Sequence, residues 1–403
     1  MQHNDMTVIY LCNAIDELTI KERNFHYFNP AGTNKVIGVG KALRTQDVKV
    51  FILSLGRERQ NGEGTKFPAI VRRVTGIPIL YAAFLNYPFL THLIGALSLS
   101  ALLIRLLRNR SGRVVVIAYN RLWHYLPSLV LAALFRKHCY LDLEDGIIDS
   151  KNYFTRAVNL ISRKLFDFLC NKGALVAAKS LMEELRTERV FICYGCTRTT
   201  VGTLAKWDKK PIQILFGGAL FVETGVQLLM DSIDILAQHH PYLKDQLKIS
   251  VSGEGPMVEQ LVKFADTKGK GWINYLGNVS RDVYNSLIDH SHIGLSLKMP
   301  STEMGRTTFP SKIIEYASYG LLIISTKVSD VPDLLDDDCA ILLPDETPES
   351  LVKAILKCVN IRHEAERLAN RGQQRVHSLC NYETVGQGMK NFLSSGYVES
   401  ESQ

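Results

Sequence analysis

The sequence predicts an α/β protein of two doubly wound parallel sheets, and three observations carry that prediction. Apolar runs of strand length alternate with helix-length stretches of 3.6-residue periodicity along the whole chain. The alternation breaks once, at the polar, aperiodic stretch "TRTTVGTLAKWDKK" (Thr197–Lys210), and then restarts. With 403 residues and 46% hydrophobic content, the chain has apolar material for two cores. The expected boundaries are a first unit over residues 1–204, a second over 205–380, and a closing helix with a polar tail over 381–403. That helix is expected to pack back towards the first unit.

In the first half, strand-length apolar runs fall at Val8–Cys12, Val48–Leu53, Ile77–Ala83, Val114–Ala118, Cys139–Leu143, Ala174–Ala178 and Val190–Cys193. Helical patterns such as Lys35–Arg44 and Tyr153–Cys170 lie between them. The second half repeats the scheme. Its strands are Ile212–Phe216, Leu247–Ser252, Ile273–Leu276, His292–Leu297, Leu321–Ser325 and Ala340–Leu343, with helices such as Val226–His239 and Met257–Lys268. Thr197–Lys210 reads as a linker, Thr384–Leu393 as the last helix and "SSGYVESESQ" as a frayed tail.

Charge is unevenly divided. Residues 1–204 hold 27 Lys+Arg against 15 Asp+Glu, whereas the remainder holds 20 against 25. The first half therefore suits an anionic partner such as phospholipid or a phosphate-bearing substrate. The basic residues are spread out with no RNA-binding signature, which disfavours nucleic acid. Gly76–Ile104 contains no Asp, Glu, Lys or Arg and is followed by Arg105, Arg108, Arg110 and Arg113. Pro78 and Pro88 leave only Phe89–Ile104 uninterrupted, short of the roughly 20 residues a spanning helix needs. A strand and a core helix, or a helix on a membrane surface, both account for it.

Eight cysteines show no framework spacing; Cys193 and Cys196 form a lone CxxC with no second pair at zinc-ribbon distance. Small hydrophobes in a reducing compartment are the plain reading. Met1–Tyr10 has neither the basic start nor the apolar core of a signal peptide, so a cytoplasmic location is expected.

Three loops that follow predicted strands of the second half carry chemistry, as is usual in doubly wound sheets. "SGEGP" (Ser252, Gly253, Glu254, Gly255, Pro256) opens a helix and allows close backbone approach to an anion. "GNVS" offers Gly277, Asn278 and Val279 to a planar base. "KMPSTEMGRTTF" leads into "PSKIIEYASYG", with Pro310 expected in the first helical turn. There Ser311, Lys312 and Glu315 share a face opposite Ile313, Ile314 and Ala317. A surface Lys–Glu pair would show the same spacing. So would a cation for phosphate and an acceptor for ribose hydroxyls.

"SGEGP", "YLGNVSRDVYNSLIDHSHIGLSL" and "FPSKIIEYASYGLLIIST", in this order over some 170 residues, resemble the donor-binding domain of family 4 retaining glycosyltransferases, bacterial surface-polysaccharide branch. The resemblance implies a GT-B fold, two Rossmann-like domains facing a central cleft. It implies a nucleotide-sugar donor, with UDP favoured, and no metal or other cofactor. The acceptor would be a glycan or lipid-linked; the basic first half, the apolar Phe89–Ile104 and the arginines after it add an anionic membrane surface, the inner face of the plasma membrane, as a further expected partner. Lys312 would meet the diphosphate and Glu315 the ribose, with Gly217 and Gly218 in the donor loop. Catalysis would be a front-face displacement in which the leaving phosphate takes the acceptor's proton.

The pattern also departs from that family. Its usual first glutamate corresponds to Thr307, with Glu303 nearby but out of register. Its usual Arg and Lys after the first strand correspond to Ala219 and Thr224. Arg306 and Lys312 are the candidate replacements. On the acceptor side, "FNPAGTNK" suggests Gly32, Thr33 and Asn34. Glu144 and Asp145 in "YLDLEDGIID" stand where relatives often have a His-Asp pair. A helix-capping carboxylate with a salt bridge would look the same. His124 in "RLWHYLP" reads as a helix-surface residue, and "DLLDDDCA" (Asp333–Ala340) as a solvated loop. A nucleotide-sugar epimerase and a non-catalytic partner protein are the rival functions.

Overall fold

The computed structural model describes residues 6–25, 30–57, 64–87, 90–110, 112–146, 153–198 and 207–401, with backbone alone for 154, 155 and 396–401. Phe28, Phe89 and most of the expected linker lie outside the described residues. Two compact units form, one from Met1–Cys196 with Tyr382–Gln403, the other from Thr197–Asn381.

Unit 1 begins with β1 (Met6–Cys12), α1 (Glu17–Glu22), α2 (Pro30–Arg44) and β2 (Lys49–Ser54). Then come β3 (Lys66–Phe67), β4 (Ile70–Val74), β5 (Ile77–Tyr81), β6 (Phe84–Leu85) and α3 (Leu90–Arg108). It continues through β7 (Arg113–Tyr119), α4 (Leu126–Leu134), β8 (His138–Leu143), α5 (Tyr153–Leu169), β9 (Ala174–Val176) and β10 (Val190–Ile192). The eight-stranded sheet has the order β10-β9-β8-β7-β1-β2-β5-β4. Its pairings are parallel except the last, β4 against β5. All seven residues of β1 are buried, as its unbroken apolar run demands of a central parallel strand.

β4 is absent from the sequence prediction because Arg72 and Arg73 interrupt its apolar pattern, as befits an edge strand. The turn into β5 places Thr75 and Gly76 at positive φ, the two-residue geometry that suits a hairpin. α3 lays Gly95, Ala96, Leu99, Leu103 and Leu107 inward, so one of its faces is core. Among the described residues it is the one helix long and apolar enough to cross a membrane, with mean hydropathy 1.8. The arginines after it do not act as one group, since Arg110 stacks 4.1 Å over the Phe51 ring and Arg113 is half-buried in β7.

Unit 2 contains β11 (Ile212–Gly217), α6 (Val226–His239), β12 (Leu247–Ser252), α7 (Val258–Asp266), β13 (Ile273–Tyr275), α8 (Arg281–His290) and β14 (Ile293–Ser296). There follow α9 (Glu303–Thr307), α10 (Lys312–Ser318), β15 (Leu322–Thr326), α11 (Val331–Leu334), β16 (Ile341–Leu343), α12 (Pro348–Asn360) and α13 (Arg362–Cys380). Its six parallel strands run β13-β12-β11-β14-β15-β16. Crossovers leave β1 and β11 in opposite directions, so their carboxyl ends are the switch points where open α/β sheets bind ligands.

Four details correct the sequence reading. Trp207 is buried in the unit 2 core, so the expected linker ends before it. Pro310 precedes the α10 cap, Ser311, rather than lying in the helix. Part of the expected Asp333–Ala340 loop is helical, with Leu334 and Leu335 buried and Asp336–Asp338 exposed. The last helix, α14 (Tyr382–Glu401), runs through most of the tail expected to fray.

α14 lies on α2, burying Val385, Met389 and Leu393 in the unit 1 core. Arg189 fastens it, donating to the carbonyl of Phe392, to Ser395 Oγ at 2.7 Å and to the Lys172 carbonyl at 2.7 Å. Gly386 permits the contact, because a Cβ there would stand 2.0 Å from the Ala42 carbonyl oxygen. Gly386→Ala should therefore destabilise unit 1 by about 1–3 kcal/mol, the usual cost of overpacking, although alanine favours a helix by up to ~1 kcal/mol. At Gly388 the nearest atoms, at 3.0 Å, belong to the Phe191 side chain, which can turn aside. Gly388→Ala should be nearly neutral. Equal urea midpoints for the two variants would contradict this contact.

Candidate functional site

Two polar clusters stand at the two switch points. In unit 2, the loops that follow β11 and β12 touch backbone to backbone. Gly218 N donates to Ser252 O at 2.9 Å, Leu220 N to Glu254 O at 2.8 Å and Gly253 N to Gly277 O at 2.9 Å. A Cβ at Gly253 would fall 1.7 Å from the Gly218 carbonyl oxygen. Gly253 and Gly255 are thus required by loop packing, not only by a ligand. At Gly277 (φ 68°) a Cβ would meet nothing within 4 Å. Asn278 and Glu254 are exposed and Val279 is half-buried.

Lys312 reaches over this junction. Its Nζ donates to Tyr284 Oη at 3.1 Å, and a Cβ at Gly218 would stand 3.0 Å from it. Tyr284 Oη in turn bonds Tyr316 Oη at 2.8 Å. The two phenols fill the space beside Gly217. No carboxylate among the described residues lies within ion-pair distance of Lys312. Glu315 is engaged instead by Arg281, Nη2 to Oε1 at 2.5 Å. Burial, with some repulsion from Arg281, pulls the Lys312 ammonium down to about 8 despite attraction from Glu315. Such a group gains most from an incoming anion.

The structure therefore brings Gly217, Gly218, Ser252, Gly253, Gly277 and Lys312 together, and ties Glu315 to them through α10. Arg306 is exposed and donates to the Ser301 carbonyl at 3.3 Å. The loop cation sequence reasoning missed is Lys298, which bonds Thr308 Oγ1. Thr224, at the position where the resembled family has a cation, closes its own loop, donating to Ala219 O at 2.7 Å and accepting from Phe221 N at 3.1 Å. Ala219 is exposed.

In unit 1 a buried ionic network lies at the ends of β1, β7 and β8. Lys35 Nζ is 2.9 Å from Asp142 Oδ1 and 4.0 Å from Glu144 Oε2. Tyr10 donates to the other Asp142 oxygen and Tyr119 to Glu144 Oε2. Asn120 Oδ1 accepts from Glu144 N at 2.8 Å. Burial pulls the Lys35 ammonium down, but Asp142 and Glu144 outweigh it and hold it above its ordinary value. Burial pushes the Glu144 carboxyl up, only partly offset by Lys35.

Gly32 packs against Tyr119, where a Cβ would be 2.7 Å from Oη, and Thr33 Oγ1 accepts from Ile15 N at 3.1 Å. Asn34 and Asp145 are exposed. Cys196 hydrogen-bonds Cys193 beside Lys35, which lowers the Cys193 thiol against the effect of burial.

His124 is a correction. It is buried, with Nε2 2.6 Å from Arg57 Nη2 and 2.7 Å from His92 Nδ1. Burial, then Arg57 and His92, drive it down to about 3, so the ring is neutral. Among the described residues no three His, Cys, Asp or Glu side chains gather as metal ligands.

The Lys312 environment has a measurable consequence. Its folded value of about 8 lies below the ordinary 10.5, so between those values the unfolded chain binds more protons and this group's contribution to stability rises with pH. Below pH 8 the desolvation cost is fully present. Lys312→Met should therefore melt higher than the parent at pH 7 without ligand, with the gap narrowing above pH 8. Melting curves at pH 7 and pH 9.5 check it; a variant less stable at pH 7 would show that the ammonium is well solvated.

Residues 211–360 match the sequence model of the family described as Glycosyl transferases group 1. A phosphatidylinositol N-acetylglucosaminyltransferase subunit from Arabidopsis thaliana is 28% identical over 151 residues, 37% of this chain and 31% of its own length. The phosphatidylinositol N-acetylglucosaminyltransferase GPI3 subunit of Saccharomyces cerevisiae is 25% identical over 165 residues, 40% of this chain and 34% of its own. The matches thus span about a third of these curated relatives' length. Among solved structures, Anabaena HepE in complex with UDP superposes with TM-score 0.69 at 15% identity, covering 97% of this chain and all of that one (100%). Sucrose-phosphate synthase from Thermosynechococcus elongatus gives 0.67 at 12%, covering 98% and 100%. The chain has the GT-B fold of two Rossmann-like units, and its residues 211–360 form a glycosyl transferases group 1 domain.

Proposed function

We propose that the protein is a retaining glycosyltransferase, metal-independent, that moves a sugar from a UDP-sugar to a lipid-linked or glycan acceptor. The observation that carries this reading is the Lys312 ammonium, held at the β11 end by the Tyr284 phenol inside the matched domain. It would receive the diphosphate, whose growing charge it stabilises as the sugar bond breaks. Glu315 would accept from the ribose hydroxyls, because a carboxylate bonded once by Arg281 keeps further acceptor capacity. Gly277, Asn278 and Val279 would border the base. The acceptor oxygen attacks the face the diphosphate leaves and passes its proton to the departing phosphate. Glu144 and Asp145, with Gly32, Thr33 and Asn34, would serve the acceptor side.

UDP is favoured because the similar Anabaena structure holds it, and UDP-glucose is bound in another structure of that protein. The curated relatives are named for transfer of N-acetylglucosamine to phosphatidylinositol. That name favours a lipid acceptor over a soluble polysaccharide. Assembly of a surface polysaccharide on a lipid carrier stays within this reading.

A second reading has its own support. Those relatives are named as subunits, and Ala219 and Thr224 leave the diphosphate without two cations. A non-catalytic partner protein would bind UDP yet release none from a UDP-sugar. An epimerase would alter the sugar with no acceptor present. UDP release from UDP-glucose or UDP-N-acetylglucosamine only when lipid acceptor is added supports the transferase.

Glu315→Ala should weaken UDP binding by about 1–3 kcal/mol, the worth of a charge-assisted hydrogen bond, with folding intact. Lys312→Ala should reduce turnover more than Arg306→Ala, and Ala219→Arg should partly rescue Lys312→Ala. Calorimetric titration with UDP and initial rates test these; unchanged UDP affinity in Glu315→Ala would remove the ribose role.

A further inference from the structure

α5 turns its apolar stripe outward. Tyr153, Leu160, Ile161 and Phe168 are 86, 53, 59 and 75% exposed, and Leu165 is exposed beside them. Positions i, i+7, i+8, i+12 and i+15 lie on one side of an α-helix. Among the described apolar side chains of α5, Phe166 alone is buried. α4, which packs on α5, adds exposed Val130 and Leu134. α3, which packs on α4, adds Leu90, Leu93 and Leu97. A row of three helices with outward apolar faces exceeds the scattered surface hydrophobes of an ordinary soluble protein.

The charge on the three helices of this face is almost all of one sign. α3 and α5 contribute Arg105, Arg108, Arg156, Arg163 and Lys164. The only carboxylate in the three helices, Asp167, lies 3.6 Å from Arg121. Where α4 and α5 end, a cavity of about 320 Å³ is lined by Arg136, Lys137, His138 and Lys172, with Ala133 and Phe168 as apolar wall. No acid is among its lining residues.

We propose that the α3–α4–α5 face of unit 1 docks on an anionic phospholipid bilayer, with the α5 stripe entering the apolar region and the cavity receiving a headgroup phosphate. A stripe with interspersed cations is what such a surface recognises. The docking rests on the proposed function only in what it would deliver, a lipid-linked acceptor.

Co-sedimentation of the full chain with phosphatidylcholine vesicles, with and without phosphatidylglycerol, tests it. Binding should need phosphatidylglycerol and weaken at high salt. R156S/K164S should lose roughly 25-fold in partition, about fivefold for each cation, and R136S/K172S a comparable amount. L160S/I161S/F168S should lose binding even at low salt. These side chains are exposed or at the surface, and far-ultraviolet circular dichroism checks the fold. The UDP-induced thermal shift on the same samples separates failure of docking from failure of the donor reading, since none of these residues lies in unit 2. Equal binding to neutral vesicles, indifference to the stripe variant, or self-association through the stripe without vesicle binding would each overturn the proposal.

Discussion

Backbone touches backbone at the carboxyl ends of β11 and β12, and nothing larger than hydrogen fits between Gly253 and the Gly218 carbonyl. The rest of the unit 2 site depends on that contact. It brings the two loops to one level, so that Gly217 meets the phenols of Tyr284 and Tyr316 and Gly218 meets Lys312. α8 and α10 are then joined through those phenols, and through Arg281 and Glu315. The result is a cation held by uncharged groups beside bare backbone. Such an arrangement lowers stability locally and raises affinity for an anion.

Unit 1 uses the opposite device at the corresponding switch point. Lys35 is neutralised by Asp142 and approached by Glu144, while Tyr10 bonds the second Asp142 oxygen and Tyr119 the Glu144 oxygen that Lys35 approaches. A buried pair of this kind contributes little net stability, because desolvation offsets attraction. What it does fix is position: displacing α2 or β8 leaves a buried charge unpaired, and displacing β1 or β7 strips a buried carboxylate of a hydrogen-bond donor. One unit thus holds a cation with no carboxylate at ion-pair distance among the described residues, and the other a cation paired with one.

Much of this was legible in the sequence. Central strands betray themselves by unbroken apolar runs, and the loops after β12, β13 and β14 by glycines and charges at helix starts. Contacts between distant positions were not legible. Arg281 and Glu315 are 34 positions apart, and Lys35 and Asp142 are 107 apart; no local pattern announces either pair. His124 looked like a surface residue because its partners, Arg57 and His92, come from other elements. The glycines of "SGEGP" suggested a ligand, while the neighbour that first requires them is the Gly218–Leu220 backbone. The α5 stripe shows a further limit: periodicity reveals that a helix has an apolar face but not which way it points.

The arrangement of α14 bears on the order in which the chain acquires structure during synthesis. Unit 2 is continuous in sequence, whereas unit 1 is completed by a helix that follows unit 2. Val385, Met389 and Leu393 cover core residues of α2 that are made more than 300 positions earlier; the bond from Thr45, just after α2, to Tyr382 spans 337 positions. At translation speeds of roughly 5–20 residues per second, that core waits tens of seconds for its cover. Unit 2 is thus complete in sequence before unit 1 acquires the helix that closes its core.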